Sequence, residues 1–209
     1  MKNILIGIPL AIIVILFTTA LGLAFIHITD IPYIIDIENL GICEKTGLSR
    51  GEILLNYNAA MNYLSPFSSE NFALPTLRYS KLGIYHFAQC KTLFNTVYLA
   101  GLFSAIFLIM LTIKKVLSRR TLWISGISVL IIPALLITAM SINFDRAFTF
   151  FHSIFFDGTT WLFNPKVDQI INILPMTFFM HCAYLILFFW FMGAAVMLII
   201  SFLNKKHTV

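Results

Sequence analysis

Long apolar stretches without a charged residue dominate the chain. Four of them are bounded by charged residues, and they lie between Lys2 and Asp30, Lys91 and Lys114, Arg120 and Asp145, and Asp168 and Lys205. A helix of about 20 apolar residues crosses the hydrocarbon core of a bilayer, where backbone polar groups must be paired within the segment. The pattern therefore predicts four transmembrane helices, at residues 4–26, 92–113, 121–142 and 178–203.

The first apolar stretch has features of a secretory signal peptide, because it follows Lys2 and carries small residues at Gly22 and Ala24. Signal peptides have an apolar core of about 7–15 residues. The apolar run that precedes Gly22 is longer, at about 18 residues, and we therefore expect a retained helix.

Composition excludes the common soluble classes. Of 209 residues, 59% are hydrophobic and 11% are charged, and the mean hydropathy is +0.91. Soluble domains are about half apolar and about a quarter charged, and disordered chains are more polar still. We expect an all-α integral membrane protein, a single membrane domain over residues 1–209, with a small, mostly helical extracytoplasmic cap and an aromatic-rich interfacial segment.

Charge is distributed unevenly between the two predicted sides. One side receives seven bases and none of the nine acids, namely Lys2, Lys114, Lys115, Arg119, Arg120, Lys205 and Lys206. Cytoplasmic loops are enriched in Lys and Arg, so both termini are predicted in the cytoplasm and residues 27–91 and 143–177 outside. The net charge of +5 is then explained by the orientation of the chain in the membrane, and it does not indicate nucleic-acid binding.

The first outer segment contains one clear helical pattern. Ser49 and Glu52 have the spacing of a capping box, and apolar residues follow at helical intervals. A helix is predicted at about 50–64, ending before Ser65-Pro66. The stretch at 68–80 is mixed and predicts a turn or short strands.

The second outer segment is rich in aromatic residues: Phe144, Phe148, Phe150, Phe151, Phe155, Phe156, Trp161 and Phe163. Asp157-Gly158 predicts a turn, and Asn164 before Pro165 predicts a short helix near 165–173. Aromatic rings with polar neighbours favour the membrane–water boundary. The segment is expected to form aromatic walls at headgroup depth, or an aromatic belt that only anchors the protein.

Histidines provide the clearest candidates for chemistry. Four of them fall near the predicted outer face, at His27, His86, His152 and His181, and His207 falls in the cytoplasmic tail. Histidine suits proton transfer near neutral pH, although a single interfacial histidine usually has a structural role. The sequence has no HExxH, HxxxH or CxxC motif, so no metal, haem or other cofactor is expected. Cys43, Cys90 and Cys182 are expected as free thiols, with a Cys43–Cys90 disulfide as the alternative.

Other nucleophiles and charges are less specific. No G-x-S-x-G motif is present, and Ser153 beside His152 would point away from it in a helix. Lys91 and Arg146 lie at predicted outer edges of spans, where they could hold a phosphate or glyceryl ester group. Long basic side chains at such edges are also expected to snorkel to the interface.

Two runs resemble the signatures of a known family. Residues 85–94, Tyr-His-Phe-Ala-Gln-Cys-Lys-Thr-Leu-Phe, resemble the signature H-x-x-D-V-K-x-L-F, and residues 151–175 resemble a second signature through His152, Trp161, Pro165, Asp168 and Pro175. The family is that of the lipoprotein intramolecular transacylases, Lit. Its members are small membrane proteins of Gram-positive bacteria with four spans. Gln89 and Met176 stand where the signatures have Asp and Glu.

The resemblance implies an acyltransferase whose substrate is a diacylglyceryl lipoprotein in the membrane. The sn-2 acyl chain would move to the α-amine of the N-terminal cysteine and leave an N-acyl lyso-lipoprotein. We expect His86 and His152 to be catalytic, with His86 as base and His152 as acid. Lys91 and Tyr85 could stabilise the oxyanion, Trp161 and the phenylalanines could line the acyl groove, and Arg146 and Asp168 could bind substrate.

Two other functions fit the composition. One is a non-enzymatic membrane sensor or assembly subunit, whose aromatic segment would grip a partner helix. The other is an acyltransferase or hydrolase acting on phospholipid. The first would tolerate loss of His86 and His152, and the second would turn over lipid without lipoprotein.

Overall fold

The computed structural model describes residues 2–66 and 68–204. Within these residues the chain is helical and has no β-strand. The helices are α1 (Lys2–Ile28), α2 (Ile31–Asn39), α3 (Ile42–Thr46), α4 (Arg50–Leu64), α5 (Lys81–Ile113), α6 (Arg119–Ile142), α7 (Phe144–Phe155), α8 (Ile170–Ile173) and α9 (Met176–Leu203). Lys205, Lys206 and His207 lie outside the described residues.

Four of the described helices, α1, α5, α6 and α9, are long and apolar enough to cross a membrane. This confirms the four predicted spans. The helix that contains the second predicted span, 92–113, begins earlier along the chain, since α5 starts at Lys81. The apolar run marks only the part of a helix that suits lipid, whereas polar residues continue the same helix beyond it.

The shorter helices agree in part with those predicted from the sequence. Helix α4 matches the predicted residues 50–64, and the Glu52 amide donates to Ser49 Oγ at 3.2 Å as the cap requires. The helix predicted at 165–173 was wrong in its start, since α8 begins only at Ile170. The Asn164 carbonyl instead closes a turn by accepting from the amides of Val167 and Asp168. The described residues between 68 and 80 form bends without a strand.

The chain forms two compact units. The first comprises Met1–Ala24, Val97–Ile142 and Ala183–Val209. Its buried apolar residues come from α1, α6 and α9, and they include Leu10, Val14, Val129 and Ala194. Small residues allow close helix approach here, because a Cβ on Gly126 would lie 2.8 Å from Leu198 Cδ2.

The second unit comprises Phe25–Thr96 and Asn143–Cys182, and it contains every candidate site residue. Tyr33 and Tyr57 stack in its core with ring centroids 3.7 Å apart. The Tyr33 hydroxyl donates to the Ile173 carbonyl at 2.7 Å, so a buried polar group is paired. This core fixes α2, α4 and α8 against one another.

Candidate active site

A buried carboxylate anchors the start of the helix that carries His86. Asp168, which is 4% exposed, accepts from the Ser80 amide at 2.8 Å and from the Ser80 hydroxyl at 3.0 Å. Ser80 Oγ in turn accepts from the Gly83 amide at 2.9 Å. Negative charge and hydrogen-bond acceptors are favourable at a helix N-terminus, so this cluster fixes where α5 begins.

Helix α7 carries His152 and is capped by Asn143, whose Oδ1 accepts from the Arg146 amide at 2.9 Å. Its side chains divide into three groups around the axis. His152 is buried, Arg146 is among the exposed polar residues, and a third stripe is apolar and exposed, comprising Phe150, Phe151, Ile154 and Phe155. A helix with this division suits the boundary between protein, lipid and water.

The two imidazoles of His86 and His152 lie close together. Their ring centroids are 6.1 Å apart, the rings are inclined by 27°, and each residue is 8% exposed. His152 Nδ1 lies 2.8 Å from the Phe148 carbonyl oxygen, and His86 Nε2 lies 3.4 Å from Cys90 Sγ. Each ring therefore has one nitrogen engaged and one available.

The Phe148 contact determines the tautomer of neutral His152. A carbonyl oxygen can only accept, so Nδ1 carries the proton and Nε2 carries the lone pair. Burial lowers the pKa of His152 from its usual value, and the bond to Phe148 partly offsets that shift. His152 is therefore neutral at physiological pH, with a basic nitrogen available.

Aromatic side chains surround the imidazole pair. Phe156 contacts both rings, with centroids 4.7 Å from His86 and 5.1 Å from His152. Phe163 lies 5.3 Å from His86, and Trp161 lies 4.7 Å from His152. Such walls exclude water from the reacting groups and strengthen electrostatic interactions there.

Two buried nitrogens in this cluster have no hydrogen-bond partner within the described residues, His86 Nδ1 and Trp161 Nε1. The Gln89 side chain also interacts with His86, although it does not supply a bond to Nδ1. A buried polar atom without a partner is costly, and it is expected where a ligand will supply the partner. The pair therefore offers polar groups to a bound molecule.

Gln89 joins α5 to the turn after α7. Its Nε2 donates to Asp157 Oδ2 at 3.3 Å, and its Oε1 accepts from the Thr160 hydroxyl at 2.8 Å. That hydroxyl also lies 3.2 Å from the Asp157 carbonyl oxygen. The network holds the residues just before Trp161 against the helix that bears His86.

Comparisons with known proteins show the family of the chain. The family model "Lipoprotein intramolecular transacylase Lit" matches residues 5–179. The chain belongs to the Lit family. It is an integral membrane acyltransferase, a lipoprotein intramolecular transacylase. No curated protein sequence matches the chain significantly.

Solved structures of the membrane integral lipoprotein intramolecular transacylase Lit from Bacillus cereus are similar to this chain. One is 30% identical with a TM-score of 0.86, covering 98% of this chain and 96% of the other. A second carries a histidine-to-arginine mutation and is 30% identical, with a TM-score of 0.79 and coverage of 98% and 92%. A third, with a histidine-to-alanine mutation, is 28% identical, with a TM-score of 0.76 and coverage of 98% and 94%.

Other residues predicted for the site in this Lit family member lie in different surroundings. Lys91 Nζ donates to the Ser68 carbonyl at 2.7 Å and lies 4.6 Å from the centre of the Tyr63 ring. Asp168 accepts hydrogen bonds from Ser80 at the start of α5, as described above. Tyr85 and Arg146 are exposed. The structure thus brings together His86, His152 and Trp161 from the predicted set.

The other two histidines of the second unit, His27 and His181, do not join the imidazole pair. His181 Nδ1 lies 2.8 Å from Oδ1 of Asp36, a carboxylate that is 3% exposed. His27 Nε2 lies 2.8 Å from the Met61 carbonyl. Both contacts lie within the second unit.

Sequence reasoning missed several residues that shape this Lit site. Phe148 and Cys90 each contact an imidazole nitrogen, and Asp157 and Thr160 bind Gln89. The spacing of four between Phe148 and His152, and between His86 and Cys90, places each pair on one helix face. That signal could have found Cys90. The three cysteines are free.

Proposed function

We propose that this Lit family member transfers the sn-2 acyl chain of a diacylglyceryl lipoprotein to the α-amine of its N-terminal cysteine. The observation that carries the proposal is the pair of buried imidazoles, 6.1 Å apart, each with one available nitrogen. Nucleophile and ester belong to one molecule, so positioning alone contributes about 7–11 kcal/mol of barrier lowering. The protein has to supply proton transfer and stabilisation of the oxyanion.

His152 is both base and acid in this mechanism, whereas the expectation from the sequence made His86 the base and His152 the acid. The substrate amine attacks the ester carbonyl carbon, a C–N bond forms, and His152 Nε2 accepts the amine proton. As the bond between the carbonyl carbon and the sn-2 oxygen breaks, His152 returns that proton to the departing oxygen. One neutral histidine thus serves as base and then as acid, and the enzyme ends each turnover unchanged.

His86 and Trp161 stabilise the negative charge that develops on the carbonyl oxygen of the substrate. When Nδ1 of His86 carries a proton, it is a donor within the same aromatic enclosure, and the Trp161 indole N–H is a donor in every state. Both atoms lack a partner among the residues that the structure describes, so the carbonyl oxygen of the substrate would satisfy them. Donors fixed in advance at a developing oxyanion are typically worth about 100- to 1,000-fold in rate each.

The site faces the extracytoplasmic side in this proposal. Within the described residues, the loop between α5 and α6 contains the bases Lys114 and Lys115 and no acid, which favours the cytoplasm. The ends of α5 and α6 that lie opposite this loop, together with residues 27–91 and 143–177, are then outside. The acylated N-termini of lipoproteins would meet the enzyme at that surface.

Mass spectrometry of lipoprotein N-termini tests the proposed reaction. The wild-type chain and the variants His86→Gln and His152→Gln would be expressed in a host that lacks other N-acyltransferase activity. The wild type should convert diacylglyceryl termini into N-acyl lyso termini. Each histidine variant should lose at least about 100-fold in rate, within the range of a positioned acid or base.

Ser153→Ala is the matched control, because Ser153 adjoins His152 on α7 and is exposed. It should retain wild-type conversion. Full activity of both histidine variants would contradict the mechanism, whereas an acyl–serine adduct would contradict direct transfer. Release of free fatty acid from phospholipid without any N-acyl product would instead indicate a lipid hydrolase.

A further inference from the structure

Cys90 lies one helical turn after His86 on α5, and its sulfur is 3.4 Å from His86 Nε2. Cys90 is partly buried and packs against the apolar core of the second unit. The other nitrogen of the same ring, Nδ1, is buried and has no hydrogen-bond partner within the described residues. The Cys90 contact therefore distinguishes the two nitrogens of His86, and the Gln89 side chain interacts with the same ring without bonding Nδ1.

Hydrogen-bond strength decides which of the two atoms is the donor. An imidazole nitrogen with a lone pair is a good acceptor, whereas a thiol sulfur is a weak one. The favoured arrangement has the Cys90 S–H donating to Nε2. Neutral His86 then carries its ring proton on Nδ1, the nitrogen that remains available.

We propose that Cys90 is a positioning residue, which holds neutral His86 in the tautomer that presents an N–H to the substrate. This inference rests on the function proposed above. Free imidazole side chains in water prefer the proton on Nε2, and that form would present a lone pair to the carbonyl oxygen. Repulsion between the lone pair and a developing oxyanion would replace a favourable hydrogen bond. Cys90 forms no covalent bond to the substrate and keeps its thiol proton.

Nuclear magnetic resonance of the full chain in detergent micelles tests the tautomer directly. With ¹⁵N-labelled histidine, the nitrogen shifts show which ring nitrogen of His86 carries the proton, without any substrate present. The wild type and Cys90→Ser should show the proton on Nδ1, since a hydroxyl can also donate to Nε2. Cys90→Ala and Cys90→Val should show it mainly on Nε2.

Kinetics on a diacylglyceryl peptide give the second readout. A fixed oxyanion donor is worth about 100- to 1,000-fold in rate. If most molecules of Cys90→Ala hold His86 in the other tautomer, kcat should fall by at least about tenfold. KM should stay within about twofold, because the interaction strengthens only in the transition state. Cys90→Ser should restore most of kcat.

Cys182→Ala is the control, since Cys182 also packs against the same core but is not bonded to an imidazole in the described residues. It should change neither the tautomer nor kcat. An unchanged His86 tautomer in Cys90→Ala would overturn the proposal, as would equal loss of kcat in Cys90→Ala and Cys90→Ser. Failure of the proposed reaction is distinguishable, because the wild type would then give no N-acyl product while the tautomer of resting His86 would still depend on Cys90.

Discussion

At the scale of single residues, neighbouring acceptors and donors give two imidazoles different chemistry. The Phe148 carbonyl fixes the Nδ1 proton of His152 and leaves Nε2 basic. His86 has Cys90 on the opposite nitrogen, Nε2. The same side chain can thus act as a base in one place and as a donor in the other.

The lowered pKa of His152 predicts a pH profile. The substrate amine has a pKa of about 7.7–8.0, so rate should fall tenfold per pH unit below that range. A solvent-exposed histidine would add a second titration near pH 6.5, but burial moves that of His152 to lower pH. Initial rates on a diacylglyceryl peptide should therefore keep a logarithmic slope of one down to at least pH 6.5.

A slope that steepens towards two above pH 6.5 would contradict this prediction. The pH dependence of Ser153→Ala should match the wild type, because that hydroxyl is not part of the mechanism. Enzyme recovered from each acidic buffer should regain full activity at neutral pH, which separates titration from unfolding.

Trp161→Phe should keep the aromatic wall and lose the indole N–H. Since that donor has no partner in the described part of the chain, its loss should leave stability almost unchanged. We expect kcat to fall about 10- to 100-fold with a smaller change in KM, below the full effect of an oxyanion donor. Trp123→Phe, at an exposed tryptophan of α6, is the matched control. Equal kcat in both variants would show that Trp161 only packs.

The sequence predicted His86, His152 and Trp161 as site residues through residue type and resemblance, but it could not assign roles to their atoms. A tautomer depends on which backbone or side-chain group reaches one ring nitrogen, and hydropathy contains no such information. Lys91 was predicted to stabilise an oxyanion because a lysine near an interface suits an anion. The structure instead places its ammonium on the Ser68 carbonyl and the Tyr63 ring.

At the scale of elements, α7 shows why aromatic composition alone did not predict a helix. Its apolar and polar residues separate strongly at helical spacing, so the sequence contained the signal, but the aromatic composition was interpreted as a wall or a belt at the membrane boundary. The long spans and α4 were predictable, because one has a sustained apolar run and the other has a cap with helical spacing. Boundaries such as Lys81 depended on a cap from Asp168, far away in sequence.

The contact between Gln89 and Asp157 predicts a charge-sensitive link between α5 and the turn that precedes Trp161. Gln89→Glu keeps the shape but sets two carboxylates against each other. Exposed charge pairs are worth about 0.2–1 kcal/mol, so activity should fall only up to about fivefold. Adding Asp157→Asn should restore activity, because an amide can donate to the new carboxylate. A double variant as impaired as Gln89→Glu alone would exclude the link.

The cap at the start of α5 predicts a stability effect. Asp168→Asn removes the negative charge at the start of α5; the Ser80 amide keeps its acceptor and the Ser80 hydroxyl accepts from the new NH₂, so charge-assisted bonds become neutral ones. The cost should be about 1–3 kcal/mol in free energy of unfolding. Thermal unfolding in detergent should show a lower Tm than the wild type. Glu70→Gln, which changes an exposed carboxylate, should leave Tm unchanged.

At the scale of the whole molecule, four long helices and the basic loop between α5 and α6 predict sidedness. A reporter active only in the cytoplasm should work when inserted at residue 116 and fail when inserted at residue 158. A reporter active only outside should give the opposite pattern. Replacing Lys114, Lys115, Arg119 and Arg120 with Gln should weaken this preference, because positive charge retains loops in the cytoplasm. The same pattern from both insertions would refute the topology.

The exposed apolar stripe of α7 has a kinetic consequence. His152 sits on a helix whose adjacent face is made of Phe150, Phe151, Ile154 and Phe155, which suits contact with acyl chains. Substrate and enzyme would then meet by lateral diffusion in the membrane. The frequency of their encounters would depend on the number of molecules per unit membrane area and not on the bulk concentration. Diluting both into more inert lipid, at constant bulk concentration, would slow turnover.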